Sequence, residues 1–323
     1  NGTLGIADKI YVISLPNRLD RRRSMESLRL ALSLDWTYLD ATPSDSVAVE
    51  QIIEQVRGRR AYTTVEESQC PLFLSSIGAN MDGLSLSQPS TSYAKSSPDT
   101  DHKTENLTCA SENHLLGVPY NSSTPRHMLL TPGRVACWHS HLRTIHQIVS
   151  EAGFERNSTL PSDSLSEGGS TCRGVSIILE DDVDMESDIR DRLNTLWPSL
   201  PPNWDIVYFG HCWSNESFFP ALPSAVKHPR NTLHPSRSPK CTHAYALSPK
   251  GARTVLRYLQ YPPFAYSRAL DQAMAWLILN KKINSYSIVP SIIAQRKVLL
   301  SDIDEGKAGF GSSWKDSLDR GVL

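Results

Sequence analysis

The feature that most constrains this 323-residue chain is an apolar run that ends in three consecutive acids. Residues 175–179 read VSIIL, and Glu180, Asp181 and Asp182 follow directly. A short, almost uninterrupted apolar run is typical of a strand buried on both faces of a parallel sheet. The acids then lie at the carboxyl end of that strand, where open α/β sheets bind their ligands. The run therefore predicts an α/β chain with a site at residues 180–182.

The segments around this run have the periodicities of alternating strands and helices. Strands are predicted at 9–15, 36–41, 204–209, 243–247 and 283–289, and helices at 17–32, 47–57, 133–153 and 249–259. A further helix carries Leu270, Met274 and Leu277, and Ser267 is predicted to cap it. The strand, helix and strand that open the chain favour a parallel sheet. After Pro290 the sequence reads as irregular and polar.

Two stretches lack any apolar period. Residues 85–131 are rich in Ser, Thr, Asn, Pro and Asp, and residues 156–171 have a similar composition. Such sequences are typical of long surface insertions. Hydrophobic residues make up 39% of the whole chain, which is enough for one large core. We therefore expect a single domain over 1–323, with a flexible insertion at 85–131 and a flexible loop at 156–171.

The three acids indicate a cation. Consecutive carboxylates repel one another unless a cation or hydrogen-bond donors neutralise them. Carboxylates are hard oxygen ligands for divalent metals, and the phosphates of a diphosphate supply further oxygens. We predict that Glu180 and Asp182 bind the metal and that Asp181 helps to bind the ligand. The alternative is a solvated acidic turn that caps the following helix.

The glycosylation sequons and the cysteines indicate the cellular compartment of the protein. Asn-x-Ser/Thr sequons begin at Asn1, Asn106, Asn121, Asn157 and Asn215, mostly in predicted loops, where glycans can be carried. The six cysteines form no CxxC pair, which argues against a zinc knuckle, and their even number permits disulfides. These features favour the lumen of the secretory pathway, in the Golgi or the endoplasmic reticulum.

Charge and hydropathy limit the partners. The net charge is −1, so the sequence predicts no nucleic-acid partner. No apolar stretch reaches the length of about 18 residues that a spanning helix needs. Membrane attachment is therefore expected only through an N-terminal anchor of the type II kind, upstream of residue 1.

Four segments, in order along the chain, resemble glycosyltransferase family 25. They are IYVISLPNRLDRR at 10–22, GRVACWHSH at 133–141, ILEDDV at 178–183 and HAYALSPKGA at 243–252, followed by LD at 270–271. The family includes bacterial lipooligosaccharide galactosyltransferases and collagen galactosyltransferases. Two departures are Ser14, where the family commonly has Asn, and Ala136, where Gly is usual.

The resemblance implies a fold, a reaction and a cofactor. The fold is of the GT-A kind, a Rossmann-like and mostly parallel sheet flanked by helices, and the reaction is an inverting sugar transfer. The donor would be a UDP-sugar, typically UDP-galactose, the metal Mn²⁺, and the acceptor an unidentified glycan or protein. The alternatives are a catalytically silent sugar-nucleotide-binding protein and a metal-dependent phosphoester hydrolase.

Donor-binding residues are predicted at the ends of the first two strands. Leu15, Arg18 and Arg21 follow the first strand, as does Arg22, and the arginines suit bidentate contacts with phosphates. The alternative for the arginines is a solvated helix start. Asp40 and Ala41 end the second strand, where the family places the nucleoside, although Asp40 also fits an ordinary strand-end acid.

Three further predictions concern the centre of the site. His141 is predicted to contact the donor or the acids, and a structural role on its helix face is the alternative. Cys137 is interpreted as buried core. Asp271 is predicted to be the base that accepts the proton of the acceptor hydroxyl, with a favourable interaction with its helix dipole as the alternative. Asp205 is a weaker candidate for the base because it begins its strand.

Overall fold

The apolar run at 175–179 leads into a central strand of the computed structural model, which describes residues 2–62, 106–158, 174–296 and 318–323. The strands of the described residues are β1 (Lys9–Ser14), β2 (Thr37–Asp40), β3 (Ser176–Glu180), β4 (Val183–Met185), β5 (Ile206–Tyr208), β6 (Thr232–Pro235), β7 (Ala244–Leu247), β8 (Ser285–Val289) and β9 (Ile293–Gln295). Their helices are α1 (Leu19–Ala31), α2 (Val47–Tyr62), α3 (Pro132–Ser158), α4 (Ile189–Leu196), α5 (Pro249–Leu259) and α6 (Leu270–Leu279).

The main sheet has seven strands in the order β2-β1-β3-β7-β5-β8-β6. β1 is parallel to β2 and β3, and β5 is parallel to β8, whereas β7 is antiparallel to β3 and β5 and β6 is antiparallel to β8. Strands β1, β2, β3, β5 and β8 therefore share one direction. The predicted α/β class with a mostly parallel sheet between helices is confirmed, and the arrangement is consistent with a Rossmann-like fold.

Helices cover both faces of this sheet because successive strand side chains point to opposite sides. On one face Tyr11, Ile178 and Tyr245 pack in a cluster with buried residues of α2, α3, α5 and α6. On the other face Val12 and Ile177 pack with buried residues of α1 and α4. Within the described ranges, no helix combines the length and apolarity that crossing a membrane requires.

The pairing register gathers the carboxyl ends of three strands at one edge. Ser14 pairs with Asp40, and Ile13 pairs with Glu180, so β1, β2 and β3 end together. Because β7 is antiparallel to β3, it begins at this edge, where Ala244 pairs with the residue before Glu180. The residues that lead into β7 therefore lie beside the acids.

Several boundaries differ from the predictions. The helix expected to stop at Gly153 continues to Ser158, since a Gly can be accommodated inside a helix at a cost of about 1 kcal/mol. Ser267 does not cap α6: its N-cap is Ala269, and Ser267 is buried. The tail after Pro290 contains β9, which pairs with β4. Strands this short are stabilised by their partner, so local periodicity does not reveal them.

The end of the predicted insertion at 85–131 is packed against the core. Thr108, Cys109 and Ala110 are buried, and the Ala110 N–H donates to the Ser267 carbonyl at 2.8 Å. The Leu107 carbonyl accepts from the N–H of Leu130 at 2.8 Å. Residues 85–105 lie outside the described residues. The predicted loop at 156–171 begins within α3, and its residues from 159 onward also lie outside them.

Candidate active site

The acidic cluster lies in the turn between β3 and β4. Glu180 is the last residue of β3, and Asp181 and Asp182 form the turn before Val183 opens β4. Arg21, on α1, contacts both aspartates: its Nη1 lies 2.9 Å from Asp181 Oδ1 and 3.3 Å from Asp182 Oδ2. The predicted donor residue Arg21 and the predicted acid cluster are therefore brought together, 160 residues apart in sequence.

Asp182 is incompletely satisfied. Its Oδ2 accepts a hydrogen bond from Gln295 Nε2 at 3.1 Å, whereas its buried Oδ1 has no hydrogen-bond partner among the described residues. Burial, together with the charges of Glu180 and Asp181, raises the pKa of Asp182 to about 7. Burial also raises the pKa of Asp181, against the effect of Arg21. A buried carboxylate oxygen without a donor is a fitting ligand for a cation.

Glu180 is held by residues of α3 and of the segment before β7. Its Oε1 lies 3.3 Å from His141 Nε2 and accepts from Thr242 Oγ1 at 2.9 Å. Burial opposes ionisation, but His141, His243 and Thr242 outweigh it and hold the pKa of Glu180 below its ordinary value. His141, which the sequence predicts to contact the donor or the acids, therefore lies against Glu180.

Cys137 also belongs to this cluster. Ligand atoms of Cys137, His141 and Glu180 lie within 4.8 Å of one another. Cys137 packs against the core, as its interpretation predicts, but it is half-buried and also lines a cleft. Burial and the charges of Glu180 and Asp271 raise the pKa of its thiol well above the ordinary value. The i, i+4 spacing of Cys137 and His141 on α3 brings their side chains to one face.

The predicted donor residues lie at the sheet edge but differ in their partners. Arg18 pairs with exposed Asp20 on the outside of α1. The hydrogen bond from Arg18 lowers the pKa of Asp20 to about 2. Leu15 follows β1, and its carbonyl accepts from the Arg18 N–H at 3.1 Å. Arg21 is therefore the predicted arginine that lies at the acids.

Arg22 links the ends of β1 and β2. It donates to Ser14 Oγ at 3.1 Å and to Asp40 Oδ1 at 2.6 Å. The Ala41 N–H donates to the Ser14 carbonyl at 2.9 Å, and Thr42, the next residue, hydrogen-bonds to α3. Asp40 and Ala41 thus lie at the same edge as the acids, as the predicted nucleoside position requires.

A cleft of about 620 Å³ opens beside the acids. It is lined by residues of α3, β3, β9, the start of α6 and the segments before α3, after β5 and before β7: His127, Arg134, Cys137, Glu180, Trp213, Lys240, Cys241, Thr242, Ala269, Leu270, Asp271, Gln272 and Gln295. The predicted base and one of the predicted metal ligands therefore share one cleft, although they are 91 positions apart in the printed sequence.

Asp271 is fixed by two backbone donors. Its Oδ1 accepts from the Gln272 N–H at 2.7 Å, and its Oδ2 accepts from the Cys241 N–H at 3.4 Å. The rival Asp205 lies at the amino end of β5, where it accepts from the Asn284 N–H at 2.8 Å and pairs with Lys250. That is the opposite edge of the sheet, which supports the choice of Asp271.

A disulfide holds one wall of the cleft. Cys212 and Cys241 are joined across 29 residues, with their Cα atoms 5.8 Å apart. Each has a neighbour in the cleft wall, Trp213 and Lys240, that the sequence interpretation did not single out. Burial lowers the pKa of Lys240. Only the pairing of the two cysteines could have indicated these neighbours, and an even cysteine count leaves that pairing open.

Comparison with known proteins adds no assignment to this geometry. The chain matches no model of a known protein family. A search of curated proteins likewise found no matching sequence.

Proposed function

We propose that this protein is a metal-assisted glycosyltransferase of the family 25 kind, with a GT-A fold. It would transfer a sugar, galactose from UDP-galactose by the resemblance, to an acceptor hydroxyl with inversion. The observation that carries the proposal is that Glu180, at the acidic end of β3, and Asp271 line the same cleft. An inverting transfer needs a leaving-group site and a base facing one reaction centre.

The donor side is supported by the unsatisfied acid. Asp182, whose Oδ1 has no hydrogen-bond partner among the described residues, and Glu180 would hold Mn²⁺. The bound ion would neutralise negative charge on the leaving diphosphate. Arg21 lies against Asp181 and Asp182 and so is within reach of a diphosphate bound there. Leu15, Asp40 and Ala41 at the same edge would contact the nucleoside.

The acceptor side rests on Asp271. The Gln272 and Cys241 N–H groups orient its carboxylate at the N-terminal end of α6. Asp271 would therefore accept the proton of the acceptor hydroxyl as the new glycosidic bond forms. The remaining cleft wall, including Trp213, Lys240 and Arg134, would contact the acceptor, a glycan or a protein.

Nucleotide release tests the activity directly. The purified protein is incubated with UDP- and GDP-sugars, with Mn²⁺ and with excess chelator. We expect metal-dependent release of UDP, and Asp191→Asn, which changes an exposed acid on α4, serves as the matched control. Donor binding without turnover would favour the silent binding protein. Hydrolysis of simple phosphoesters without sugar transfer would favour the phosphoester hydrolase.

We further propose residence in the lumen of the secretory pathway. Asn106, Asn121 and Asn215 are exposed, and Asn121 and Asn215 each accept a hydrogen bond from the Ser hydroxyl of their own sequon. The Cys212–Cys241 disulfide is also favoured by an oxidising compartment.

Measuring which sequons carry glycans tests the proposed residence in the lumen. After expression in a eukaryotic host, amidase treatment should lower the mass of the protein, and Asn→Gln changes at the exposed sequons should remove the corresponding shifts. An unchanged mass would contradict lumenal residence.

A further inference from the structure

The residues Cys137, His141 and Glu180 form a cluster whose ligand chemistry differs from that of the aspartates. We propose that this cluster binds a thiophilic divalent cation of the Zn²⁺ class. One ligand atom from each residue lies within 4.8 Å of the others, and the three offer sulfur, nitrogen and oxygen. This combination suits Zn²⁺, whereas an oxygen-only set suits Mn²⁺ or Mg²⁺.

The separation of two ligand atoms already fits one ion. His141 Nε2 lies 3.3 Å from Glu180 Oε1. Nitrogen and oxygen ligands at ordinary zinc bond lengths on a tetrahedral ion lie about 3.3 Å apart. The third ligand comes from the preceding turn of the same helix, because Cys137 and His141 are four residues apart on α3. Binding would release the thiol proton of Cys137 to solvent, since a metal-bound thiol is deprotonated.

Neighbouring side chains hydrogen-bond to His141 and Glu180 and orient them, as the outer hydrogen-bond partners of metal ligands do. Tyr245 OH lies 2.9 Å from His141 Nδ1, which leaves Nε2 directed at Glu180. Thr242 Oγ1 donates to Glu180 Oε1 at 2.9 Å. Such outer partners fix the ring orientation of a ligating histidine and typically contribute 10- to 100-fold to metal affinity.

The cluster opens onto the cleft. Cys137 and Glu180 line it, and His141 is buried behind them. Three protein ligands with a cleft beside them leave one coordination position for water or another small ligand, as in zinc sites that are not purely structural. Glu180 is shared with the acidic turn, so the thiolate of Cys137 is the ligand that distinguishes this site from one built on Asp182.

Cobalt absorption tests the site without any donor or acceptor. The chelator-treated full chain is titrated with Co²⁺, and a thiolate-to-cobalt band should appear and disappear again when Zn²⁺ is added. Cys137→Ser should abolish the band, and Tyr245→Phe should weaken Co²⁺ binding by about 10- to 100-fold. Cys109→Ser, a change at the other free cysteine of the described residues, should leave the band intact.

Two outcomes would overturn the proposal. One is the absence of a thiolate band, which would leave His141 and Glu180 as a simple ion pair. The other is a band that persists in Cys137→Ser, which would assign the ion to another cysteine. A second measurement does not depend on the variant folding correctly. The rate of Cys137 alkylation in the unaltered protein is followed by mass spectrometry, and Zn²⁺ should slow this alkylation by at least tenfold. Asp182→Asn should keep the cobalt band, so the proposal of this site and the proposal of the Mn²⁺ site can be refuted separately.

Discussion

Two carboxylates at the two ends of β4 have opposite environments. Asp182 has one oxygen without a partner among the described residues, and its pKa is raised to about 7 by burial and by the charges of Glu180 and Asp181. Glu186, four residues later, accepts from the N–H groups of Asp319 and Arg320 at 2.7 and 2.9 Å. The guanidinium of Arg192 lies 3.1 Å from it.

The difference separates a structural acid from a candidate functional one. Glu186 holds residues 318–323 against the segment after β4. Both of its carboxylate oxygens accept hydrogen bonds there, from the Asp319 and Arg320 N–H groups. Asp182 is only partly satisfied: Arg21 and Gln295 contact its Oδ2, but its Oδ1 has no hydrogen-bond partner among the described residues, which is costly for a buried polar atom. A carboxylate whose hydrogen-bonding capacity is not met by the surrounding residues is a candidate ligand for a bound cation.

The largest expected effect is on activity. Asp182→Asn should abolish metal-dependent turnover, because it removes a charge from the proposed Mn²⁺ ligand set. The free energy of unfolding at pH 7 should be unchanged or higher, since the change removes an unfavourable buried charge. Nucleotide-release assays and urea unfolding of the same preparation measure both quantities. Full activity of this variant, or of the unaltered protein in excess chelator, would refute the assignment.

The opposite result is expected at Glu186. Glu186→Gln would place an amide donor against a backbone N–H and leave Arg192 without one of its buried partners. Breaking a buried pair in this way costs about 3–5 kcal/mol. Urea unfolding gives the loss, with the exposed Glu50→Gln on α2 as a control that should stay within about 0.5 kcal/mol. If the free energy of unfolding falls by less than about 1 kcal/mol, Glu186 does not have the structural role that distinguishes it from Asp182.

Asp271 extends the comparison to an acid in the cleft wall that two backbone N–H groups hold in place. Asp271→Asn should lower kcat by about 10²-fold or more, the usual scale for a positioned base, with donor affinity little changed. The asparagine carbonyl oxygen can still accept from the Gln272 N–H, and only the long 3.4 Å contact with the Cys241 N–H is lost, so the fold should be retained. Steady-state kinetics with the donor varied separate the two parameters. A collapse of donor affinity would make Asp271 a binding residue.

A last effect concerns the pH dependence of stability. The pKa of Asp182 is raised from its ordinary value of 3.8 to about 7 in the folded protein, so between these values the folded state binds a proton that the unfolded chain releases. Stability should therefore fall as pH rises from about 4 to about 7, by at most about 1.4 kcal/mol per pH unit from this group. Urea unfolding of the unaltered protein and Asp182→Asn across this range, in chelator, should show a slope that the variant lacks. Equal slopes would mean that Asp182 is ionised throughout.

Local patterns explain which parts of the architecture were predictable. The run before Glu180 forms β3 as expected, and α5 begins where Pro249 and its neighbours indicate, with Ser248 Oγ accepting from the Gly251 N–H at 2.9 Å. Both follow from interactions within a few residues. The family-like segments also marked His141, Glu180 and Asp271 as candidates, and these residues do lie at one cleft or directly behind it.

The α/β class and the position of the acids at a strand end were predictable from the residues alone, because strand burial and helix caps are encoded locally. The contacts of those acids were not predictable in this way. The direction of β7, the approach of Arg21, the Cys212–Cys241 pairing and the contact of Gln295 with Asp182 depend on strand order and register. These long-range contacts are selected by the packing of the whole core, which no local periodicity records.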